Sequence, residues 1–240
     1  MQIYEALELD IKHRETLSFV GGGGKTTTIF QLGEELKRLN KKVLITTTTA
    51  MYKPKRWEYD YFFLGYIAQN FIPNNGTITI LGKRIRENKL VSPYLLELEY
   101  VANRKIFDFI LIEGDGAKGR AIKAPANHEP VISKYTTKTI GIIGIDCLYK
   151  KIDEVVHRPE IFTKLVDKNY LDTVDEQSVA RLVLNNRGLF KESIGQNILL
   201  LNKVNNERRL LGARNIEKVL WGEGFKGRVV IADIKKKIFY

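Results

Sequence analysis

Short apolar runs alternate with stretches of helical period along most of the chain. Leu17-Ser18-Phe19-Val20 has the length and apolar character of a buried strand. Across residues 25–39, Ile29, Leu32, Leu36 and Leu39 recur at three- and four-residue spacing. That spacing predicts a helix with these four residues facing inward, Gly33 tolerated among them and Asn40 as its stop. Residues 43–46, 60–64 and 77–81 read as further strands, with Asn74-Asn75-Gly76 supplying turn chemistry before the last. Pro93 is expected in the first turn of a helix that ends near Arg104. Residues 107–112, 139–145 and 197–201 have the β-branched and apolar content of strands buried on both faces. Residues 177–184 and 207–220 read as helices, and 229–231 as a last strand.

Strands alternating with helices predict an α/β fold, a mostly parallel sheet flanked by helices in a three-layer sandwich of the P-loop NTPase kind. No linker or repeat divides the chain, so residues 1–240 are expected to form a single nucleotide-binding domain. A ligand should lie at the carboxyl ends of the strands.

The strongest chemical signal is Gly21-Gly22-Gly23-Gly24-Lys25-Thr26-Thr27-Thr28, between a predicted strand and a predicted helix. Glycines let several backbone N–H groups point into one concavity, and the helix start adds partial positive charge. Lys25 is expected to reach phosphate and Thr26 to ligate Mg²⁺. The longer pattern G-x-x-x-x-G-K-[ST] would need glycine at Phe19, so the loop is a compact form. It resembles the GGxGKT loop of the signal-recognition and MinD-like NTPases, with Val20 where many of those carry a second lysine.

An acid near the metal is expected at a neighbouring strand end, and Glu113 and Asp115 follow the 107–112 run two residues apart. Either can hold Mg²⁺ or orient an attacking water, which makes Lys25, Glu113 and Asp115 the expected catalytic set. Gly114, Gly116 and Gly119 also match a dinucleotide fingerprint, but Pro125 and Pro130 interrupt the helix that it requires. The segment reads instead as a functional loop that carries Lys118, Arg120, Lys123, His128 and Glu129, with its cations expected to contact phosphate or an anionic ligand. Thr47 and Thr48, in the run Thr46-Thr47-Thr48-Thr49, are expected to face the ligand. Asn202-Lys203-Val204-Asn205 resembles a base-reading NKxD motif, with an amide where a guanine-reading aspartate would stand. Asp146, Cys147, His157 and Arg158 follow another strand end. The favoured readings there are packing for Cys147 and a structural or partner-binding role for His157.

Composition narrows the class. The chain carries 39 Lys+Arg against 28 Asp+Glu, a formal net charge of +11, which favours polyanionic partners. One cysteine excludes an internal disulfide and a multi-cysteine zinc site. No apolar run reaches membrane-span length and the start does not read as a signal peptide, so a cytoplasmic protein without membrane partners is expected. The basic residues are scattered and no nucleic-acid motif occurs, which makes nucleic acid an unlikely partner.

Taken together, residues 20–28, 46–49, Glu113-Gly114-Asp115-Gly116-Ala117-Lys118-Gly119, 123–130, Val156-His157-Arg158-Pro159 and Asn202-Lys203 resemble the YqeC family of selenium-dependent hydroxylase accessory proteins. The resemblance implies a P-loop protein that serves maturation of selenium-dependent molybdenum hydroxylases, with such an enzyme or its cofactor-maturation proteins as partner. The combined expectation is Mg²⁺ and ATP or GTP bound by Gly21, Gly22, Gly23, Gly24, Lys25, Thr26, Thr27, Thr47, Thr48, Lys118, Arg120, Asn202 and Lys203, with slow hydrolysis. Two alternatives stand beside it: a small-molecule kinase or nucleotidyl transferase, and a basic nucleic-acid-binding module.

Overall fold

All seven residues of the strand that precedes the glycine loop are buried, as its apolar run predicts. The structure, a computed structural model, describes all 240 residues. In chain order the elements are α1 (Ile3–Ala6), β1 (Glu15–Gly21), α2 (Lys25–Arg38), β2 (Lys42–Thr47), β3 (Ala50–Tyr52), β4 (Tyr61–Leu64), β5 (Thr77–Gly82), β6 (Arg84–Arg86), β7 (Lys89–Val91), α3 (Leu95–Asn103), β8 (Phe109–Glu113), β9 (Ile122–Lys123), β10 (Lys138–Gly144), α4 (Ile152–Val155), β11 (Val156–His157), α5 (Pro159–Val166), α6 (Glu176–Leu184), β12 (Gln196–Asn202), α7 (Glu207–Gly222), β13 (Arg228–Asp233) and β14 (Ile238–Phe239).

Nine strands form one sheet in the order β14-β13-β12-β10-β1-β8-β2-β5-β4. All neighbours are parallel except β13 and β14. Side chains alternate across each strand, and helices cover both faces. Leu17 and Phe19 pack with Ile29, Leu32 and Leu36 of α2 on one face. On the other, Val20, Ile143 and Leu201 pack with α6 and α7, while Ile110 and Ile112 pack with α3. The fold is thus the predicted α/β three-layer sandwich of the P-loop NTPase kind. Strand β8 lies between β1 and β2, with Glu113 in register with both Phe19 and Thr47.

Helix α2 ends as its pattern predicts, with Asn40 in the left-handed region at φ 61°. Leu39, expected to face inward, is only half-buried at the C-cap. Pro93 falls before Tyr94, whose extended backbone (φ −65°, ψ 144°) caps α3, so it lies outside the helix rather than in its first turn. The run of residues 234–237 reads from the sequence as a solvated tail; Lys235, Lys236 and Lys237 are exposed, but the segment is anchored at its first residue. Ile234 is buried, its N–H donates to Asn202 Oδ1 at 3.0 Å, and β14 then pairs with β13. Two small ladders carry no clear period in the sequence: β3-β7-β6 and β9-β11.

The glycine loop is pressed against its neighbours. A Cβ on Gly23, at φ 78°, would lie 2.1 Å from Gly144 N, whereas one on Gly116 would meet nothing within 4 Å. Gly23→Ala should therefore destabilise the fold by about 2 kcal/mol or more, about 4–8 °C in unfolding midpoint. Gly116→Ala should leave it unchanged; calorimetric unfolding of the two variants makes the comparison.

Candidate functional site

The loop after β1 is held by its backbone. Gly22 N–H donates to Ile142 O at 2.9 Å, and Gly23 N–H to Arg120 O at 3.0 Å. The first amides of α2 have no partner inside the helix and face the same concavity. Lys25, 5% exposed, donates from Nζ to Gly21 O at 2.5 Å and lies 3.1 Å from Asp115 Oδ1.

Because β8 pairs directly with β1, its last residue arrives beside this loop. Thr26 Oγ1 donates to Glu113 Oε2 at 2.7 Å. Burial pushes the Glu113 carboxyl above its ordinary value, opposed by the charge of Lys25 and the bond from Thr26. No group of three or more His, Cys, Asp or Glu side chains could hold a metal alone. A hydroxyl and a carboxylate at a phosphate loop suit Mg²⁺, which completes its coordination with phosphate oxygens and water.

Asp115, expected beside Glu113, does not line the cavity. It is 2% exposed behind the loop and accepts from Gly21 N–H at 3.1 Å. Strand β8 stops at Glu113, so the alternation that would put both acids on one side ends with it. Thr47 and Thr48 also sit outside the cavity: their hydroxyls donate to Glu113 O and Val131 O, each at 2.9 Å. Thr49 lines it instead. Asn202 works under the loop, donating from Nδ2 to Gly23 O at 2.9 Å. Lys203 Nζ lies 2.9 Å from Asp146 Oδ2.

Lys123 belongs to the segment read as an anion-facing loop, yet it is 1% exposed and absent from the cavity wall. It sits in an ionic chain: Asp115 Oδ2 at 3.0 Å on one side and Glu129 Oε2 at 2.7 Å on the other, with Arg158 Nη1 2.5 Å beyond Glu129. Burial would raise the Glu129 carboxyl, but Lys123 and Arg158 outweigh it and hold it below its ordinary value. His128 is exposed and away from the cavity. Cys147 is fully buried, and burial pushes its thiol up to about 12, so it packs rather than reacts.

Two cavities, each of about 480 Å³, meet at Gly23, Gly24, Thr27 and Lys203. The first is lined by Lys25, Thr26 and Glu113, by Lys118, Arg120, His157 and Arg158, and by Tyr52 and Lys89 from the β3-β7-β6 ladder. Tyr52 and Lys89 are direct register partners. Sequence patterning missed both, because only the pairing of two three-residue strands joins them. The second cavity is lined by Asn202, Asn205, Arg209, Asp233, Lys235 and Lys236.

Lys123→Met would leave two buried carboxylates without their shared cation and should cost about 3–5 kcal/mol in chemical denaturation. His157 supplies a pH signature. Burial, then Arg158, Lys123 and Lys118, lower its imidazole from 6.5 to about 4, with Glu129 opposing. The folded imidazole is neutral where the unfolded one takes up a proton. Its contribution to stability is thus complete above pH 6.5 and fades as pH falls towards 4. The unfolding midpoint should drop over that range, and His157→Gln should flatten the drop.

A model of the YqeC protein family matches residues 17–160, which include the loop, Glu113, Lys123, Glu129 and Arg158. The chain is also 31% identical over 195 residues to the uncharacterized protein YqeC of Escherichia coli (strain K12), covering 78% of this chain and 75% of that one. No helix is long and apolar enough to cross a membrane. On the match across most of its length, the chain belongs to the YqeC protein family.

Proposed function

We propose that the chain binds a magnesium nucleoside triphosphate, ATP or GTP, on the loop of residues 21–26 and hydrolyses it slowly. One observation carries the reading: a buried lysine, a helix-opening threonine and a strand-end glutamate converge on a glycine loop, with Thr26 and Glu113 2.7 Å apart. Lys25 exchanges Gly21 O and Asp115 for phosphate oxygens, and the first amides of α2 take others. Thr26 and Glu113 are the residues that would hold Mg²⁺, and Glu113 also orients the attacking water. The bound metal supplies charge neutralisation at the phosphates. Asp115 stays behind the loop, held by Gly21 N–H and by Lys123.

The second cavity takes the nucleoside, beside Asn202, Lys203 and Asn205. With Asn205 in place of a guanine-reading carboxylate, the reading extends to both purines. Membership of the YqeC family supports the wider role: a cytoplasmic accessory factor in maturation of selenium-dependent molybdenum hydroxylases, working with the enzyme or its cofactor-maturation proteins. Such a role requires only that the chain treat triphosphate and diphosphate forms differently.

Calorimetric titration of MgATP and MgGTP into wild type, Lys25→Ala, Thr26→Ala and Glu113→Gln tests this reading. Lys25→Ala should weaken binding at least a hundredfold. Thr26→Ala should remove the benefit of Mg²⁺, and Glu113→Gln should bind but not release phosphate. Nucleotide at a hundred times its Kd should add ~2.7 kcal/mol of stability, raising the wild-type midpoint by about 5–10 °C. Undiminished affinity in Lys25→Ala would overturn the assignment.

A further inference from the structure

The first cavity is larger than the task just assigned to it. If the nucleoside occupies the second cavity, the phosphates cover only the wall made by Gly23, Gly24, Lys25 and Thr26. Lys89, Lys118, Arg120 and Tyr52 line the rest of the cavity. Its charges do not balance. Six cations and two carboxylates line the cavity. Three of the cations have a carboxylate partner: Lys25 with Asp115, Arg158 with Glu129 and Lys203 with Asp146. The other three, Lys89, Lys118 and Arg120, have no carboxylate within 4 Å, and no side-chain hydrogen bond uses their nitrogens.

On the reading above, the triphosphate is held by Lys25, the loop amides and the start of α2. Glu113 is committed to the metal on the same reading. The three unpartnered cations therefore remain after nucleotide has bound. They surround a space in which Tyr52 offers a hydroxyl and a ring, with Lys89 Nζ 5.9 Å from the ring centroid. A guanidinium and two ammonium groups suit the oxygens of phosphate or carboxylate, Arg120 by a two-pronged contact.

The segment that carries Lys118 and Arg120 is also fastened, to the glycine loop at Gly23 and to the end of β10 at Gly144. Arg120 O accepts from Gly23 N–H, and Ala121 O accepts from Gly144 N–H at 2.9 Å. Lys118 is set in the left-handed region at φ 48°, and Gly119 follows at φ 77°.

We propose that Lys89, Lys118, Arg120 and Tyr52 form the binding site for a second substrate, a small phosphate- or carboxylate-bearing molecule seated beside the terminal phosphate of the nucleotide. This rests on the nucleotide reading for what lies opposite, but not for the site itself. Lys118 and Arg120 then serve this second ligand and not the nucleotide.

Inorganic phosphate is the probe for one class of oxyanion and malonate for the other. Each is titrated into full-length protein loaded with Mg²⁺ and the β,γ-imido analogue of ATP, with loading checked by stoichiometry in every variant. Wild type should take up one further anion per chain, and whichever probe binds more tightly names the class. A Lys118→Ala, Arg120→Ala double variant with an unshifted unfolding midpoint should bind that probe at least tenfold more weakly. Absence of a second anion in the loaded protein, or uptake indifferent to the double substitution, would overturn the proposal. Should wild type fail to load with nucleotide at all, the nucleotide reading falls alone. The same phosphate titration on Lys25→Ala, whose own loop cannot compete, then decides the second site: uptake lost on adding the double substitution keeps it, and no uptake removes it.

Discussion

Alternating charge runs through the carboxyl edge of the sheet: Lys25, Asp115, Lys123, Glu129 and Arg158, each within 3.1 Å of the next. The first four are nine-tenths buried or more. Isolated, any of them would carry a desolvation cost of several kcal/mol, so the chain has to form together. Its members come from the start of α2, the loop after β8, strand β9, the loop that follows it and the N-cap of α5. Closing it fixes the segment of residues 115–130 beside the glycine loop, and that segment supplies Lys118 and Arg120 to the cavity. The placing of that segment against the loop follows from one neutralisation problem.

The local parts of this arrangement were legible in the sequence. The strand, glycine loop and helix are set by apolar period and by glycines that backbone packing demands, and both are written in consecutive residues. Glu113 was legible as a strand end. Its place next to β1 was not, because the insertion of β8 between β1 and β2 is decided by pairing between residues far apart in the chain. Asp115 misled for a related reason: the alternation rule holds only while the strand lasts, and β8 ends two residues earlier. Lys123 looks like any basic loop residue until Asp115 and Glu129 are seen on either side of it. Thr47 and Thr48 occupy a strand end, as read, but their hydroxyls are spent on neighbouring carbonyls.

The resting state of Lys25 bears on how a ligand engages the loop. Its ammonium already has a carbonyl and a carboxylate as partners. A phosphate therefore gains only the difference between its own attraction and theirs. Because Lys25 is buried, its attraction for a charged group is also less screened than that of a lysine that rests in water.

Asn202 uses both ends of one amide. Nδ2 holds Gly23 O, and Oδ1 receives the N–H groups of Lys203 at 2.8 Å and Ile234 at 3.0 Å. A short, stiff side chain thus ties the phosphate loop to the segment of residues 233–236, which walls the second cavity. Neither aspartate nor leucine can reproduce that double role, since one lacks the donor and the other lacks both groups. The walls of the two cavities therefore share one tie: the amide that holds the glycine curl of the first also holds the lysine-rich segment of the second.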